Sequence, residues 1–256
     1  MRAALISDIH SNLEALQVVL SDVGSAGVDR ILCLGDVVGY GPNPRECIDS
    51  LGSCDLYILG NHDYALLEEP YQEGFTPKAR QALIWTREVL LHPSSPLVGN
   101  HIREFYGKFV DTHRENGVLY VHGSPRRPVE EYIFPGDITF SAKMGAIFDL
   151  IERVCFVGHT HLPGVFLEEL AFISTQDVGE GFDLPTEQKV IVNIGSVGQP
   201  RDGNPAASYV IFEQDSAGRG RVEFRRVPYD VEMTMAKIYR VQALHNDLGH
   251  RLAAGR

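Results

Sequence analysis

Six short apolar runs punctuate the chain: Ala3–Ser7, Ile31–Leu34, Leu56–Leu59, Val118–Val121, Val154–Val157 and Val190–Ile194. Each is rich in Val, Ile, Leu or Tyr and does not alternate strictly. Each breaks off into glycine or polar residues. A run that is apolar throughout suits a strand buried on both faces. Between the first two runs, Asn12–Ala26 carries Leu13, Leu16, Val19 and Leu20 at helical spacing. This alternation of strand and helix predicts an α/β core.

The stretch from Tyr64 to Asn116 reads as mostly helical. Thr76 is placed as an N-cap, with Pro77 at the first helical position. That helix is expected to run through Ala82, Leu83, Trp85 and Val89 and to stop before Pro93. Ser124–Gly136, rich in Pro and Arg, reads as a loop. From Val165 to Val227 the pattern is strand-like, with a hairpin turning at Ser216-Ala217-Gly218-Arg219-Gly220. Val231–Ala254 reads as a terminal helix. The expected organisation is one domain over residues 1–256, with a mostly helical insertion over 64–116 and a C-terminal helix over 231–254.

Composition narrows the function classes. With 256 residues, 44 % of them hydrophobic, the chain can bury the core of one large α/β domain. A net charge of −11 argues against a broad surface for duplex nucleic acid, which needs clustered Lys and Arg. An acidic protein that handles an anionic substrate needs local positive charge, and bound cations supply it. Cys33, Cys47, Cys54 and Cys155 form no CxxC pair and are too sparse for a disulfide framework. No run reaches the roughly 18–20 apolar residues that span a bilayer, and MRAALISDIHSN is too short in apolar length for a signal peptide. The expected location is the cytoplasm, with no membrane partner.

The polar residues that follow the apolar runs carry the chemistry. They are Asp8-Ile9-His10, Gly35-Asp36, Gly60-Asn61-His62-Asp63, His122-Gly123 and Gly158-His159-Thr160-His161. In α/β sheets the carboxyl ends of strands line the ligand crevice, so these residues are expected to converge. Asp8 and His10 alternate by two, which puts both on one side of an extended segment; His159 and His161 do the same. Taken singly, each block has an ordinary explanation as a turn former, a cap or a satisfied histidine. Five at the same structural position do not. Asp8, His10, Asp36, Asn61, His122, His159 and His161 are too many ligands for one ion and suit two with a shared carboxylate. Carboxylate, imidazole and amide oxygen together favour Mn, Fe, Zn or Ni over Ca. The remaining histidines, His92, His101, His113, His245 and His250, read as surface residues.

In these blocks the chain resembles the calcineurin-like metallophosphoesterase superfamily: DxH, GDxxG, GNHD, a lone His and GHxH, all present and in order. The resemblance covers roughly residues 1 to 205. Small prokaryotic phosphodiesterases of the family also resemble it in Asn193-Ile194-Gly195-Ser196-Val197-Gly198-Gln199-Pro200-Arg201. It implies a four-layer α/β/β/α sandwich of two packed mixed sheets flanked by helices. It also implies one metal on Asp8, His10, Asp36 and His161, a second on Asp36, Asn61, His122 and His159, and Asp36 as the bridge. His62 would face the leaving group, oriented by Asp63.

The chemistry expected of such a pair is hydrolysis of phosphodiesters or phosphomonoesters. Water bridging two divalent ions loses a proton near neutral pH and attacks phosphorus in line. His62 then protonates the leaving alkoxide, with its pKa raised by Asp63. Arg201 is a candidate fork donor to a phosphate oxygen, and Tyr40 a candidate stacking surface. Arg126 and Arg127 read as a solvated loop. Alternatives within the class are a protein serine/threonine phosphatase or a dinucleoside polyphosphate hydrolase; a nuclease is weakened by the charge. A scaffold without catalysis is the alternative of another class, and His62, for which a scaffold has no use, argues against it. Oligomeric state is open.

Overall fold

The computed structural model describes residues 1–68, 74–92, 94–179 and 181–256. Pro93, the expected stop of a helix, and parts of the expected helical insertion (residues 69–73) and strand region (residue 180) lie outside the described residues. In chain order the strands are β1 (Arg2–Ile6), β2 (Arg30–Cys33), β3 (Leu56–Tyr57), β4 (His113–Glu115), β5 (Val118–Tyr120), β6 (Val154–Val157), β7 (Gly164–Leu167), β8 (Ala171–Ser174), β9 (Phe182–Asp183), β10 (Val190–Asn193), β11 (Ala207–Gln214) and β12 (Gly220–Val227). The helices are α1 (Leu13–Ser25), α2 (Pro44–Ser50), α3 (Asn61–Leu67), α4 (Pro77–Leu91), α5 (Pro96–Tyr106), α6 (Ser141–Phe148), α7 (Thr175–Val178), α8 (Val231–Arg240) and α9 (Asp247–Ala254).

Two six-stranded mixed sheets form, in the orders β3-β2-β1-β11-β12-β9 and β4-β5-β6-β10-β7-β8. In the first, β1, β2 and β3 are parallel and β11 joins β1 antiparallel. In the second, β5, β6 and β10 are parallel and β7 joins β10 antiparallel. The apolar runs are unbroken because each strand is covered on both faces. Ala3 and Leu5 of β1 meet Tyr120, Phe156 and Val192 of the other sheet. Ala4 and Ile6, one residue out of step, meet Leu16, Val19 and Val23 of α1. On the far side Leu119, Cys155 and Val157 pack on Met144, Ile147 and Phe148 of α6. The layers are therefore helix, sheet, sheet, helix.

Local signals place several elements. Asn12 caps α1 by accepting from the Ala15 N–H at 3.2 Å. Thr76 caps α4 in the same way through Ala79, with Pro77 in the first turn, and the helix ends at Leu91. The β11–β12 hairpin pairs Gln214 with Gly220, so the turn takes up 215–219 and Gly220, expected in the turn, opens β12. The four thiols are free, and Cys33, Cys47 and Cys155 are buried. Among the described residues, no helix is long and apolar enough to cross a membrane.

The C-terminal reading needs correction. One helix over 231–254 is expected, but the structure has two, α8 and α9, with Val241 extended between them (φ −94°, ψ 103°). The cause is tertiary. Turning at 241–246 brings Ile238 of α8 and Leu248 and Leu252 of α9 onto one cluster with Leu244, Ala82, Trp85 and Tyr40. A continuous helix of that length would be about 36 Å long and would carry the α9 leucines past that cluster.

Candidate metal centre

Parallel strands β1, β2, β3, β5 and β6 deliver their carboxyl ends to one edge of the sandwich. The loops that follow are tied to one another by backbone bonds: Asp8 N to Gly35 O (2.9 Å), His10 N to Asp36 O (3.0 Å) and Gly158 N to His122 O (3.0 Å). Asp8, His10, Asp36, Asn61, His62, His122, His159 and His161 are all buried here. The pleat does not aim them. β1 stops at Ile6, and Asp8 (φ +53°), His10 (+49°), Asp36 (+52°), His159 (+66°) and His161 (+61°) are left-handed. The expected extended alternation of Asp8 with His10, and of His159 with His161, is therefore corrected: each pair shares a side through two left-handed residues. Non-glycine residues adopt that region rarely, at a cost of about 1–3 kcal/mol each, and such strain gathers at functional sites.

Glycine in the GN and GH pairs has a steric reason. A Cβ on Gly60 would lie 2.1 Å from Asp36 Oδ1, and one on Gly158 would lie 2.5 Å from Asp8 Oδ2. The close approach lets backbone N–H groups grip the carboxylates: His62 N donates to Asp36 Oδ1 at 2.8 Å and His159 N to Asp8 Oδ2 at 3.0 Å. One oxygen of each carboxylate is thereby fixed and the other is left for a ligand.

The imidazoles are set just as firmly. His10 Nδ1 donates to Val38 O (3.1 Å), His122 Nδ1 to Leu34 O (2.8 Å), His161 Nδ1 to Gln199 O (2.6 Å) and His159 Nε2 to Glu130 O (3.0 Å). A carbonyl only accepts, so each of these nitrogens carries a proton and the other nitrogen of a neutral ring presents its lone pair. Those second nitrogens face one another, His10 Nε2 and His161 Nε2 at 3.1 Å and His122 Nε2 and His159 Nδ1 at 3.1 Å. Asp8 Oδ1 lies 3.1 Å from His161 Nε2; Asp36 Oδ2 lies 3.8 Å from His10 Nε2 and 3.4 Å from His122 Nε2. Asp8 Oδ1 and Asn61 Oδ1 are buried without a hydrogen-bond partner among the described residues. Paired lone pairs, orphaned oxygens and a carboxylate between them fit two cations. Asp8, His10 and His161 are close enough to share one ion, and Asp36, His122 and His159 another.

Electrostatics agrees for His10, His159 and His161. Burial pushes His10 well below the usual imidazole range, His159 down to about 3, and His161 down as well. Burial pulls His122 the same way, but the Asp36 carboxylate outweighs it and holds His122 up to about 9. Burial disfavours the charge on Asp36, yet His122 and His62 hold it well below the carboxylate range. An ionised Asp36 beside neutral His10, His159 and His161 is the protonation metals require, whereas His122 has to give up a proton to take one.

His62 stands at the opening of this group, within reach of an ion shared with His10 and Asp36. Its ring is held by Tyr40, His10 and Phe75, with centroids 4.6, 4.7 and 4.8 Å away. The expectation that Asp63 orients it and raises its pKa is corrected. Asp63 faces away, accepting from Val37 N (3.0 Å), the Tyr106 hydroxyl (2.9 Å) and Gly60 N (3.3 Å). His62 Nδ1 is a buried atom with no partner among the described residues, and burial pushes the ring down to about 4. Asp63, itself pushed by burial up to about 7, braces the loop that carries Asp36.

A cavity of about 460 Å³ opens onto the centre, lined by Asn61, His62, His159, Tyr40, Phe75 and Tyr132 among others. Tyr40 thus lines the site. Arg201 sits beside it, with its backbone N–H on His161 O at 3.2 Å. Arg126 and Arg127 pair instead with Glu131 and Glu130 on the surface. Tyr132, stacked on His159 at 3.7 Å between centroids, was not legible in the sequence, because nothing in a Pro-rich loop marks which aromatic folds back.

The calcineurin-like phosphoesterase superfamily domain matches residues 1–217. An uncharacterized protein of Methanocaldococcus jannaschii is 37 % identical over 262 residues, covering 99 % of this chain and 98 % of that one. A symmetrical bis(5'-nucleosyl)-tetraphosphatase of Erwinia tasmaniensis is 38 % identical over 71 residues, 26 % of each chain. The crystal structure of a metallophosphoesterase from Sphaerobacter thermophilus matches with a TM-score of 0.81 and 38 % identity over 100 % of both chains. The chain belongs to the calcineurin-like phosphoesterase superfamily, and it is a metal-dependent hydrolase of phosphoester bonds.

Proposed function

We propose that the protein hydrolyses small phosphate mono- or diesters, with Asp8, His10, Asp36 and His161 holding one divalent cation and Asp36, Asn61, His122 and His159 a second. The observation that carries the reading is the pair of lone-pair contacts, each 3.1 Å, flanking Asp36. Cations held there supply Lewis acidity, making water nucleophilic near neutral pH and drawing charge from phosphoryl oxygens. The donor set suits Mn, Fe, Zn or Ni. The residues then divide the work. Tyr40, Phe75 and Tyr132 wall the cavity and exclude water from one side. His62, at the opening, donates a proton to the leaving oxygen; its lowered pKa makes it a strong acid, and an arriving phosphate anion raises its protonated fraction. Free thiols fit action in the reducing cytoplasm.

The aromatic walls favour a nucleotide ester over an alkyl phosphate, because a base can stack on them. The local likeness to a tetraphosphatase points the same way. The test is a panel assay: protein stripped of metal is reloaded with Mn, Zn, Ni or Mg and given p-nitrophenyl phosphate, bis-p-nitrophenyl phosphate and diadenosine tetraphosphate. Turnover restored only by metal is expected. Absence of hydrolysis with every metal and every ester, in protein that binds two equivalents of metal, overturns the reading in favour of a scaffold.

A further inference from the structure

The Ser124–Gly136 loop belongs to no motif block. It begins just after His122 and folds back over His159, so it spans both imidazoles of the second cation's ligand set. Four ring nitrogens of the centre donate to backbone carbonyls. Three of those carbonyls, on Leu34, Val38 and Gln199, sit in or beside the motif blocks; the fourth, Glu130 O, 3.0 Å from His159 Nε2, comes from the loop. From the same loop the Tyr132 ring lies nearly flat on the His159 ring, 3.7 Å between centroids and 18° from parallel. Phe134 stacks in turn on Tyr132, at 5.3 Å and 10°.

The loop is itself braced. Ser124 is buried; its Oγ accepts from Arg126 N and Arg127 N, both at 3.2 Å, and donates to the Glu131 carboxylate. Arg126 Nε donates to the same carboxylate at 3.0 Å. Glu131 lies between Glu130 and Tyr132 in the chain, so this pairing fixes the backbone of both. Gly123 N donates to Pro128 O at 2.5 Å, and a Cβ on Gly123 would lie 3.0 Å from backbone atoms of Arg127 and Glu131. From α6, Lys143 Nζ donates to Tyr132 O at 2.8 Å.

His159 has need of such support. Its backbone is left-handed, at φ +66°, a conformation that persists only where the surroundings over-determine it. The bond from Nε2 to Glu130 O fixes the tautomer and leaves the Nδ1 lone pair for a metal, while the stacked ring resists tilting. We propose that Glu130, through its carbonyl, and Tyr132, through its ring, are positioning residues that hold His159 for the second cation, so that this loop sets how tightly that cation is kept. The inference rests on the two-cation reading above and adds to it a control on one of the two ions.

The test is calorimetric titration of manganese into metal-free protein. The wild type is expected to bind two equivalents. Tyr132 is 39 % exposed, so its replacement leaves the core intact. Tyr132→Leu, which covers His159 with apolar bulk but no flat ring, is expected to weaken one equivalent by about 10–100-fold, the range for partners of a metal ligand, and to leave the other. Tyr132→Phe is expected to bind both as the wild type does. In Asn61→Ala, whose second site is already weakened, adding Tyr132→Leu is expected to leave the tighter equivalent unchanged, which assigns the loss to the second cation. Unchanged binding in Tyr132→Leu, equal weakening of both equivalents, equal losses in the Leu and Phe variants, or loss of the tighter equivalent in the double variant overturns the positioning role. A wild type that binds fewer than two equivalents overturns the two-cation reading, and the positioning role with it.

Discussion

Asp8, His10 and His161 are 0 %, 1 % and 1 % exposed, whereas Asn61 and His159 are 8 % and 3 % exposed and form part of the cavity wall. Asp36 lies between the two halves of the centre, its Oδ2 3.8 Å from His10 Nε2 and 3.4 Å from His122 Nε2, and the halves have different neighbours. The inner half is wedged between the loops after β1 and β6, with Asp8 also accepting from His159 N. The outer half faces the cavity and is covered by Tyr132. Asp8, His10 and His161 are part of the packing of the sandwich edge, while Asn61 and His159 reach the cavity and His122 stays buried behind them.

The largest effect is expected at Asp36, which lies between the halves. Asp36→Asn is expected to lower turnover on every ester by more than about 10⁴-fold, beyond what general acid catalysis contributes, and to reduce bound metal below two equivalents by elemental analysis. An unaltered metal content removes Asp36 from the centre. His62→Ala comes next. It should keep both metals and lose about 10²–10⁴-fold on alkyl phosphates, less on p-nitrophenyl phosphate, whose leaving group needs no proton. Equal losses on both esters would speak against proton donation.

Two further variants separate the halves. Asn61→Ala is expected to weaken one metal equivalent by about 10–100-fold with little change in melting temperature. His161→Ala should weaken the other equivalent and also lower the melting temperature, because its ring is built into the loop contact with Gln199. The reverse pattern would exchange inner for outer.

The smallest effect is on the pH dependence of the metal-free protein. Burial holds His10, His62, His159 and His161 below their unfolded value, so below about pH 6.5 the unfolded chain takes up protons that the folded chain does not. Stability from these four is present above that pH and lost as pH falls, by up to about 1.4 kcal/mol per unit each. His122 and Asp63, held up to about 9 and about 7, have the opposite sign: their contributions are present at low pH and lost as pH rises through those values. Four outweigh two, so melting scans from pH 7 to 5 should show a falling midpoint. A rising midpoint would mean that the histidines are not buried neutral.

The strands, α1, the Thr76 cap and the hairpin turn were legible because each rests on neighbours close in sequence: an apolar run, a helical stripe, a cap three residues from its partner. The identity of the site residues was legible because Asp8, Asp36, Asn61, His122 and His159 each follow such a run, and parallel strands deliver run ends to one edge. What those side chains do to one another was not. Asp63 turns to Tyr106 and Val37, 43 and 26 residues away, and not to its neighbour His62. The left-handed backbone at Asp8 and His161 is imposed by loops closing on loops, against local preference. The C-terminal hairpin likewise bends where Tyr40 and Ala82 offer a surface, with no proline or glycine at the bend to mark it. Which groups can bind metal, and where along the sheets they emerge, follows from short-range pattern in the chain. Their protonation and orientation follow from the folded arrangement, because burial and charge are set by residues that meet only when the chain is folded.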